Sequence, residues 1–247
     1  MTANLDHAVR LRRDRRLSDL YHSADLVLAD GFPLVLASLL RGPRLPERVT
    51  GADLIEPVCA AASRVGASVF VVGTRLSVLS RACTHLVRQF PRLAIVGAHS
   101  PSRGFEVGHP ECEEVAGMIR EAAPDIVFVA LGSPKQELWA EAYRHRLPPS
   151  VYICAGAGFD YLAGQPRRAP RVVRQLCLEW LWRLAREPRR LARRYALDLV
   201  YFPLLLAEHL GWLRPAAAVL GVPQITPQPP SRGGLASDDQ RVSKLNQ

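Results

Sequence analysis

The stretch Ala67-Ser-Val-Phe-Val-Val-Gly-Thr74 decides the fold, because a run of β-branched and aromatic residues ends at a glycine and a helical pattern follows. Similar apolar runs, each ending at or next to a glycine, predict strands at 24–29, 67–72, 93–96, 126–131 and 151–154. Short continuous apolar strands alternating with helices indicate a parallel sheet that is covered on both faces. We therefore predict a Rossmann-like α/β fold with a mostly parallel sheet, which binds ligands beyond the carboxyl ends of its strands.

The composition of the 247-residue chain is ordinary for a globular protein, with 48% hydrophobic and 22% charged residues. No run of 18 uncharged apolar residues is present, and the first twenty residues are polar and Arg-rich, so neither a transmembrane helix nor a secretory signal is predicted. The five cysteines are scattered and form no CxxC pair, which fits a reducing cytoplasm.

One block of residues carries nearly all of the net charge of +9. Residues 164–195 contain ten Arg and two Glu, and the remaining chain is almost balanced. Such a block attracts phosphate on a nucleotide, a nucleic acid or a lipid headgroup, or it is simply a solvated helix face. Arg183, Arg190 and Arg193 would share one helical stripe with Arg186 if the helical register continued through Pro188, where a new helix is also expected to start.

These patterns divide the chain into three regions. Residues 1–170 are predicted to form the α/β core, and residues 171–213 a helical, Arg-rich appendage, whose basic and aromatic residues suit either an anionic bilayer surface or a nucleic acid. Residues 214–247 are rich in Ala, Pro, Gly, Gln and Ser without periodicity, which predicts a disordered tail.

Several nucleotide and metal motifs are absent from the sequence. There is no GxGxxG, no P-loop, no Asp-x-Asp and no HExxH, so a dinucleotide oxidoreductase or a P-loop kinase is disfavoured. We predict no metal site and no cofactor. If the protein handles a diphosphate, arginine is the natural substitute for a metal, because its planar fork binds phosphate oxygens in pairs.

Three carboxylates follow strands or start helices, and each has two interpretations. Asp30 and Asp160 come after strands, where a general base or an Asx turn can stand. Glu137 lies at a predicted helix start, where it would also interact favourably with the helix dipole. The strand-end glycines are either tight turns or phosphate cradles.

From Thr2 to about Leu199 the chain resembles the WecG/TagA/CpsF family of bacterial glycosyltransferases, glycosyltransferase family 26. The order and spacing of the matching stretches make the resemblance specific. They are Thr2-Ala-Asn4, Ala29-Asp-Gly31, Pro46-Glu-Arg-Val-Thr-Gly-Ala-Asp53, Gly132-Ser-Pro-Lys-Gln-Glu137, Gly156-Ala-Gly-Phe-Asp160, Gly164, Arg168-Ala-Pro170, Leu178-Glu-Trp-Leu-Trp-Arg183, Glu187-Pro-Arg-Arg190 and Arg193-Arg-Tyr195.

The resemblance implies an inverting, metal-independent transfer of a hexose, often N-acetylmannosamine or its uronic acid, from a UDP-sugar donor. The acceptor would be a polyprenyl-diphosphate-linked saccharide, and the products would be cell-surface polymers such as wall teichoic acid linkage units and exopolysaccharides. It also implies a cytoplasmic protein that is peripheral at the inner face of the plasma membrane, contacts an anionic membrane surface and can self-associate.

Site residues are carried over from the family by position. Asp30 matches the proposed catalytic base, Thr2 and Arg48 match active-site residues, and Gln136 matches a residue implicated in substrate contact. Arg183, Arg190 and Arg193 match C-terminal arginines that are proposed to fold over the site at the membrane and would bind phosphate. Motif and strand-end residues expected to contact the substrates are Thr2, Asn4, Gly31, Gly73, Gly132, Pro134, Lys135, Glu137, Gly156, Phe159 and Asp160.

Two other functions are open at this point. A non-catalytic nucleic-acid-binding protein would use the basic C-terminal helices, whereas the favoured interpretation expects no nucleic-acid partner. A soluble transferase with a small acceptor would need no lipid. In the family a strand precedes the first motif, so either translation starts upstream of Met1 or the sheet lacks one edge strand.

Overall fold

The computed structural model describes residues 1–40, 44–164, 169–170, 172–173 and 178–211. The chain divides into one compact unit, Met1–Leu213, and a second unit, Arg214–Gln247, in which the predicted disordered tail lies outside the described residues. The helices of the first unit are α1 (Leu5–Leu11), α2 (Arg15–His22), α3 (Phe32–Leu40), α4 (Gly51–Val65), α5 (Leu76–Gln89), α6 (Glu111–Ala122), α7 (Lys135–Tyr143), α8 (Gly158–Leu162), α9 (Glu179–Arg186) and α10 (Pro188–His209).

The main sheet has four parallel strands, and the prediction of a parallel α/β fold is confirmed. Two short strands, β1 (Thr2–Ala3) and β2 (Leu28–Ala29), precede it along the chain, and its own strands are β3 (Ser68–Gly73), β4 (Ala94–His99), β5 (Ile126–Ala130) and β6 (Val151–Cys154). Their order is β4-β3-β5-β6, so the chain builds outward from β3 in one direction and then returns to its other side. The carboxyl ends of β3 and β5 flank this change of direction.

Alternate side chains of the central strands enter two separate hydrophobic cores. Val69 and Val71 of β3 pack with Phe128 under α4, α5 and α8. Phe70 and Val72 point to the opposite face and pack under α6 and α7. A strand that is buried on both faces reads as a continuous apolar run, which is why the sequence predicted it well.

A small parallel pair of strands lies apart from the main sheet. The prediction of a strand over residues 24–29 is only partly correct, because β2 contains Leu28–Ala29 alone. The partner strand β1 is only two residues long, and Asp25 to Val27 are exposed. Tyr21 of α2 packs with Leu17 and Leu20 against Leu138 of α7, which attaches the N-terminal part of the chain to the α/β core.

The C-terminal part forms two helices rather than one. Pro188 starts α10, as predicted, but Glu187 leaves the helical conformation with φ −133° and ψ 55°. The condition for one continuous stripe is therefore not met, because Arg183 lies on α9 whereas Arg190 and Arg193 lie on α10. The side chains of Arg190 and Arg193 are outside the described residues. The predicted boundary between a core ending at residue 170 and an appendage stays a prediction.

Within the described ranges, no helix is long and apolar enough to cross a membrane.

Gly73→Ala is expected to destabilise the fold strongly. Gly73 has φ +128°, and a Cβ built on it would overlap the backbone carbonyl of Ala130 on the neighbouring strand. We expect a loss of more than about 3 kcal/mol of unfolding free energy in urea titrations followed by circular dichroism. Gly104→Ala is the control, since φ is +94° there but no atom lies within 4 Å of the added carbon. Its cost should be about 1–2 kcal/mol, and equal costs for the two variants would contradict the packing argument.

Candidate active site

Short contacts join the turns at the carboxyl ends of the sheet strands. After β3, the Thr74 amide donates to the Ala130 carbonyl at 3.0 Å, and the Ser100 hydroxyl donates to the Thr74 carbonyl at 2.8 Å. After β6, the Gly156 amide donates to Gln136 Oε1 at 3.0 Å. These turns lie beside the change of direction between β3 and β5, which is where open α/β sheets bind ligands.

Two of the turns leave backbone open to a ligand. Gly132 has φ 78° and Gly156 has φ 55°, and no atom lies within 4 Å of the place where either would carry a Cβ. Close by, Asp160 Oδ1 accepts a hydrogen bond from the Thr74 hydroxyl at 3.4 Å. Burial raises the pKa of Asp160, and the Thr74 hydrogen bond and the charge of Arg75 oppose that effect.

Asp30 stands at the end of β2 and is fixed through the backbone. Its amide donates to the Ala3 carbonyl at 2.6 Å, and the Val49 amide donates to the Ala29 carbonyl at 2.9 Å. The side chain is partly buried. Burial raises the pKa of Asp30 to about 6, although the positive charges of Arg48 and Arg183 lower it. A carboxylate with this pKa is ionised at neutral pH and is a stronger base than an ordinary aspartate.

Arg48 links the surroundings of Asp30 to α9. Arg48 Nη1 forms an ion pair with Glu179 Oε2 at 3.1 Å, and Nη2 lies 3.9 Å from Asp53 Oδ2. Because Glu179 and Arg183 are on the same helix, this pair holds α9 where Arg183 contributes positive charge to Asp30. The structure thus brings together three predicted site residues, Asp30, Arg48 and Arg183, which are far apart in sequence.

A second group of predicted residues is buried. Gln136 is 3% exposed, Glu137 is fully buried and Thr2 is 7% exposed. The hydroxyl of Tyr21 lies between them, 3.1 Å from the Thr2 carbonyl and 3.4 Å from Glu137 Oε1. This group of residues connects β1, which contains Thr2, with the turn at Gly156, whose amide donates to Gln136.

The other predicted residues have local roles in the structure, and their substrate contacts stay predictions. The Asn4 side chain caps α1 by accepting from the His7 amide at 3.1 Å. Lys135 Nζ donates to the Phe105 carbonyl at 3.3 Å. Phe159 is fully buried and packs edge-on against Phe128. Gly31 and Pro134 directly precede α3 and α7.

The sequence analysis did not single out Glu179, Thr74 or Tyr21. Glu179 is one of two acidic residues in the Arg-rich block and lies within a quoted motif, which was a usable signal. Thr74 has a positive φ of 53° directly after Gly73, and nothing local in sequence predicts that. Tyr21 meets Glu137 across 116 residues, so only the tertiary fold reveals this contact.

A cleft of about 670 Å³ adjoins the Asp30 surroundings at Asp53. It opens between α4, α5 and α8, and its walls include Pro57, Phe90 and Tyr161. Its volume is in the range of small-molecule sites.

Asp30→Asn is expected to stabilise the fold at pH 7.5 and to have little effect near pH 4. Because the folded-state pKa of about 6 lies above the ordinary value of 3.8, ionising Asp30 costs folding free energy. The cost is fully present at pH values above the folded-state pKa of about 6, and it vanishes at pH values below the ordinary pKa of 3.8. We expect a gain of about 3 kcal/mol at pH 7.5 in urea unfolding. Asp25→Asn, an exposed change in the same segment, is the control, and a gain that does not depend on pH would contradict the assignment.

Comparison with known proteins finds the same family that the sequence motifs resemble. A family model described as the glycosyl transferase WecG/TagA/CpsF family matches residues 1–215. A protein of Bacillus spizizenii is 34% identical over 193 residues, which cover 78% of this chain and 73% of the relative. A protein of Bacillus subtilis is 32% identical over 205 residues, which cover 81% and 77%. Both relatives are named N-acetylglucosaminyldiphosphoundecaprenol N-acetyl-beta-D-mannosaminyltransferase. The match over most of its length shows that this chain is a glycosyltransferase and belongs to the WecG/TagA/CpsF family.

Proposed function

We propose that this enzyme transfers N-acetylmannosamine or a related hexose from a UDP-sugar to a polyprenyl-diphosphate-linked saccharide, with inversion and without a metal ion. The observation that carries the proposal is Asp30, a partly buried carboxylate with a pKa of about 6 beside Arg48 and Arg183. The names of the two Bacillus relatives support the sugar and the lipid-linked acceptor. Membership of an enzyme family sets aside the non-catalytic nucleic-acid-binding alternative.

Asp30 would act as the general base of a single displacement. The acceptor hydroxyl oxygen forms a bond to the anomeric carbon of the donor sugar while the bond from that carbon to the UDP oxygen breaks. The hydroxyl proton passes to Asp30, and the electron pair of the broken bond leaves on UDP. An inverting transfer needs only this one base, and a pKa close to the working pH favours proton transfer.

Arginine would stabilise the negative charge that develops on the departing diphosphate. The charges of Arg48 and Arg183 lower the pKa of Asp30, which supports a place for both near the reacting atoms. Among the described residues, no group of three or more His, Cys, Asp or Glu is arranged to hold a metal ion. Guanidinium groups that are placed before the reaction stabilise such charge without reorganising, at a scale of about 3–4 kcal/mol for one well-placed donor.

The strand-end turns would bind the donor nucleotide, and the cleft next to Asp53 would give room to the acceptor saccharide. Gly132 and Gly156 present open backbone at the sheet edge, beside the hydroxyl of Thr74. Donor and acceptor would then approach Asp30 from different elements of the fold.

Exposed apolar side chains support a membrane-bound position at the inner face of the plasma membrane. Helix α3 begins two residues after Asp30 and contains no charged residue; its Phe32, Leu39 and Leu40 are 42%, 50% and 52% exposed. It contacts α10, which exposes Leu199 and Val200, and α9 exposes Trp180 and Leu181. Apolar side chains next to an arginine-rich segment suit an anionic bilayer surface, which would place Asp30 at the depth of the lipid headgroups.

Asp30→Asn is expected to abolish transfer while UDP still binds. Loss of a general base lowers the rate by about 10²–10⁴-fold, whereas the nucleotide contacts lie elsewhere. The measurement is UDP release from UDP-N-acetylmannosamine with a short-chain polyprenyl-diphosphate N-acetylglucosamine acceptor, with UDP affinity measured by calorimetry. Asp25→Asn is the matched control and should keep normal turnover. Near-normal transfer by Asp30→Asn would refute the base, and loss of wild-type turnover in EDTA with recovery in Mg²⁺ or Mn²⁺ would refute metal independence.

The double variant Leu39→Glu/Leu40→Glu is expected to lose most binding to vesicles that contain phosphatidylglycerol. Two inserted leucines contribute about 1–3 kcal/mol each, so the partition constant should fall by at least about tenfold in co-sedimentation. Val65→Glu is the control, since Val65 is 78% exposed but ends α4 at the amino end of β3, whereas α3 follows the carboxyl end of β2. Unchanged vesicle binding by the double variant would overturn the placement of α3 in the bilayer. So would dissociation of a wild-type dimer by these substitutions in light scattering, because the face would then bind a second copy.

A further inference from the structure

Glu137 is a buried carboxylate that the proposed reaction does not use. It lies in the first turn of α7 and is fully buried. Its Oε1 accepts from Gln136 Nε2 at 2.8 Å and from the Tyr21 hydroxyl at 3.4 Å. In the part of the chain that the structure describes, its Oε2 has no hydrogen-bond partner. Burying a carboxylate costs free energy, and an apolar side chain of similar volume often stabilises a core better.

The two donors to Glu137 belong to two different halves of the candidate site. On one side, Gln136 Oε1 accepts from the amide of Gly156 at 3.0 Å, so Gln136 connects Glu137 to the turn after β6. The amide group of Gln136 is therefore bonded at both ends. Any displacement of Glu137 would pass through Gln136 to the strand-end turn that we propose as part of the donor site.

The second donor leads to Asp30. The Tyr21 hydroxyl lies 3.1 Å from the Thr2 carbonyl as well as 3.4 Å from Glu137 Oε1. Thr2 belongs to β1, which pairs with β2, and the next residue of β1, Ala3, accepts the Asp30 amide at 2.6 Å. Tyr21 thus connects Glu137 to the strand pair that carries Asp30.

We infer that Glu137 is a positioning residue, whose Oε1 sets the placement of the Gly156 turn relative to the strand pair that carries Asp30. This inference rests on the proposed function, which assigns donor binding to the Gly156 turn and the general base to Asp30. It assigns Glu137 no contact with substrate, because the side chain is fully buried. A buried polar network of this kind is justified when it fixes one arrangement of the groups around it; removal of its central acceptor leaves the Gln136 Nε2 donor without that partner and the Tyr21 hydroxyl bonded to the Thr2 carbonyl alone.

The network predicts that its two branches can be separated by substitution. Tyr21→Phe removes the hydroxyl that reaches the strand pair, so Asp30 should become better hydrated and its titration midpoint should fall by at least about half a pH unit. The affinity of the Tyr21→Phe variant for UDP should stay within about twofold of the wild-type value, because differences of that size are within the error with which independent mutational effects add. Gln136→Leu should do the opposite and weaken UDP binding by about 10–100-fold, the usual cost of losing a supporting contact, with the Asp30 midpoint unchanged.

Variants of Glu137 test the centre of the network. Glu137→Leu removes the acceptor and should change both quantities, whereas Glu137→Gln keeps an oxygen acceptor and should restore both to within about twofold or a few tenths of a pH unit. Tyr152→Phe is the control, since Tyr152 is a partly buried tyrosine that donates to the Pro148 carbonyl at 3.0 Å, away from Glu137. It should move neither quantity.

The experiment measures the Asp30 carboxyl titration by NMR with labelled aspartate, the UDP affinity by calorimetry, and the melting temperature of each variant. The inference would be overturned if Tyr21→Phe and Gln136→Leu each changed both the Asp30 titration midpoint and the UDP affinity in proportion to their loss of melting temperature. So would a Glu137→Gln variant as impaired as Glu137→Leu. Failure of the proposed function gives a different result, because a wild-type protein that neither binds UDP nor transfers sugar would still show whether Tyr21 and Glu137 shift the Asp30 titration.

Discussion

The parallel direction of all four main strands places their closing turns at a single edge of the sheet. Because β3 and β5 are buried on both faces, their polar groups can meet solvent or a ligand only where the strands end. Thr74, Gly132 and the Gly156–Asp160 motif are therefore brought to the same edge from three separate parts of the sequence. The site is a consequence of strand direction first and of particular side chains second.

Asp30 shows how a short pair of strands adds chemistry to this edge. Its backbone amide is held by Ala3 of β1, the Ala29 carbonyl before it accepts from Val49, and its side chain is partly buried. Burial makes the carboxyl group more basic, and Arg48 and Arg183 limit this effect, which leaves the pKa at about 6. Helix α9 takes part through the ion pair of Glu179 with Arg48. Helix α9 thus contributes positive charge to the surroundings of Asp30.

The sequence predicted the main sheet well because each central strand has a self-contained apolar pattern and is closed by glycine. The order of the strands and the length of β2 depend on partners far away in sequence. The apolar pattern of residues 24–29 therefore predicted a strand that is four residues too long at its start. The stripe of arginines depended on a condition that the spacing itself cannot test: seven-residue spacing indicates one helical face only if no residue between leaves the helix. Glu187 does so. Asp30 and Arg183 were candidates from their strand-end position and from the Arg-rich block. Arg48 and the roles of all three residues came from the family resemblance, and the contacts of Glu179 and Tyr21 became visible only in the fold.

The break in the helix at Glu187 means that a small local rotation would displace the far end of α10 by a large distance. A single residue, with φ −133° and ψ 55°, separates the helical residues of α9 and α10, and α10 has 22 residues. A helix of that length extends about 33 Å, so a rotation of about 10° at the joint sweeps its far end through about 6 Å. Such a rotation would break the contacts of α10 with α1 and α3, so these contacts and the Glu187 torsion angles together fix the direction of a helix that is much longer than the strands.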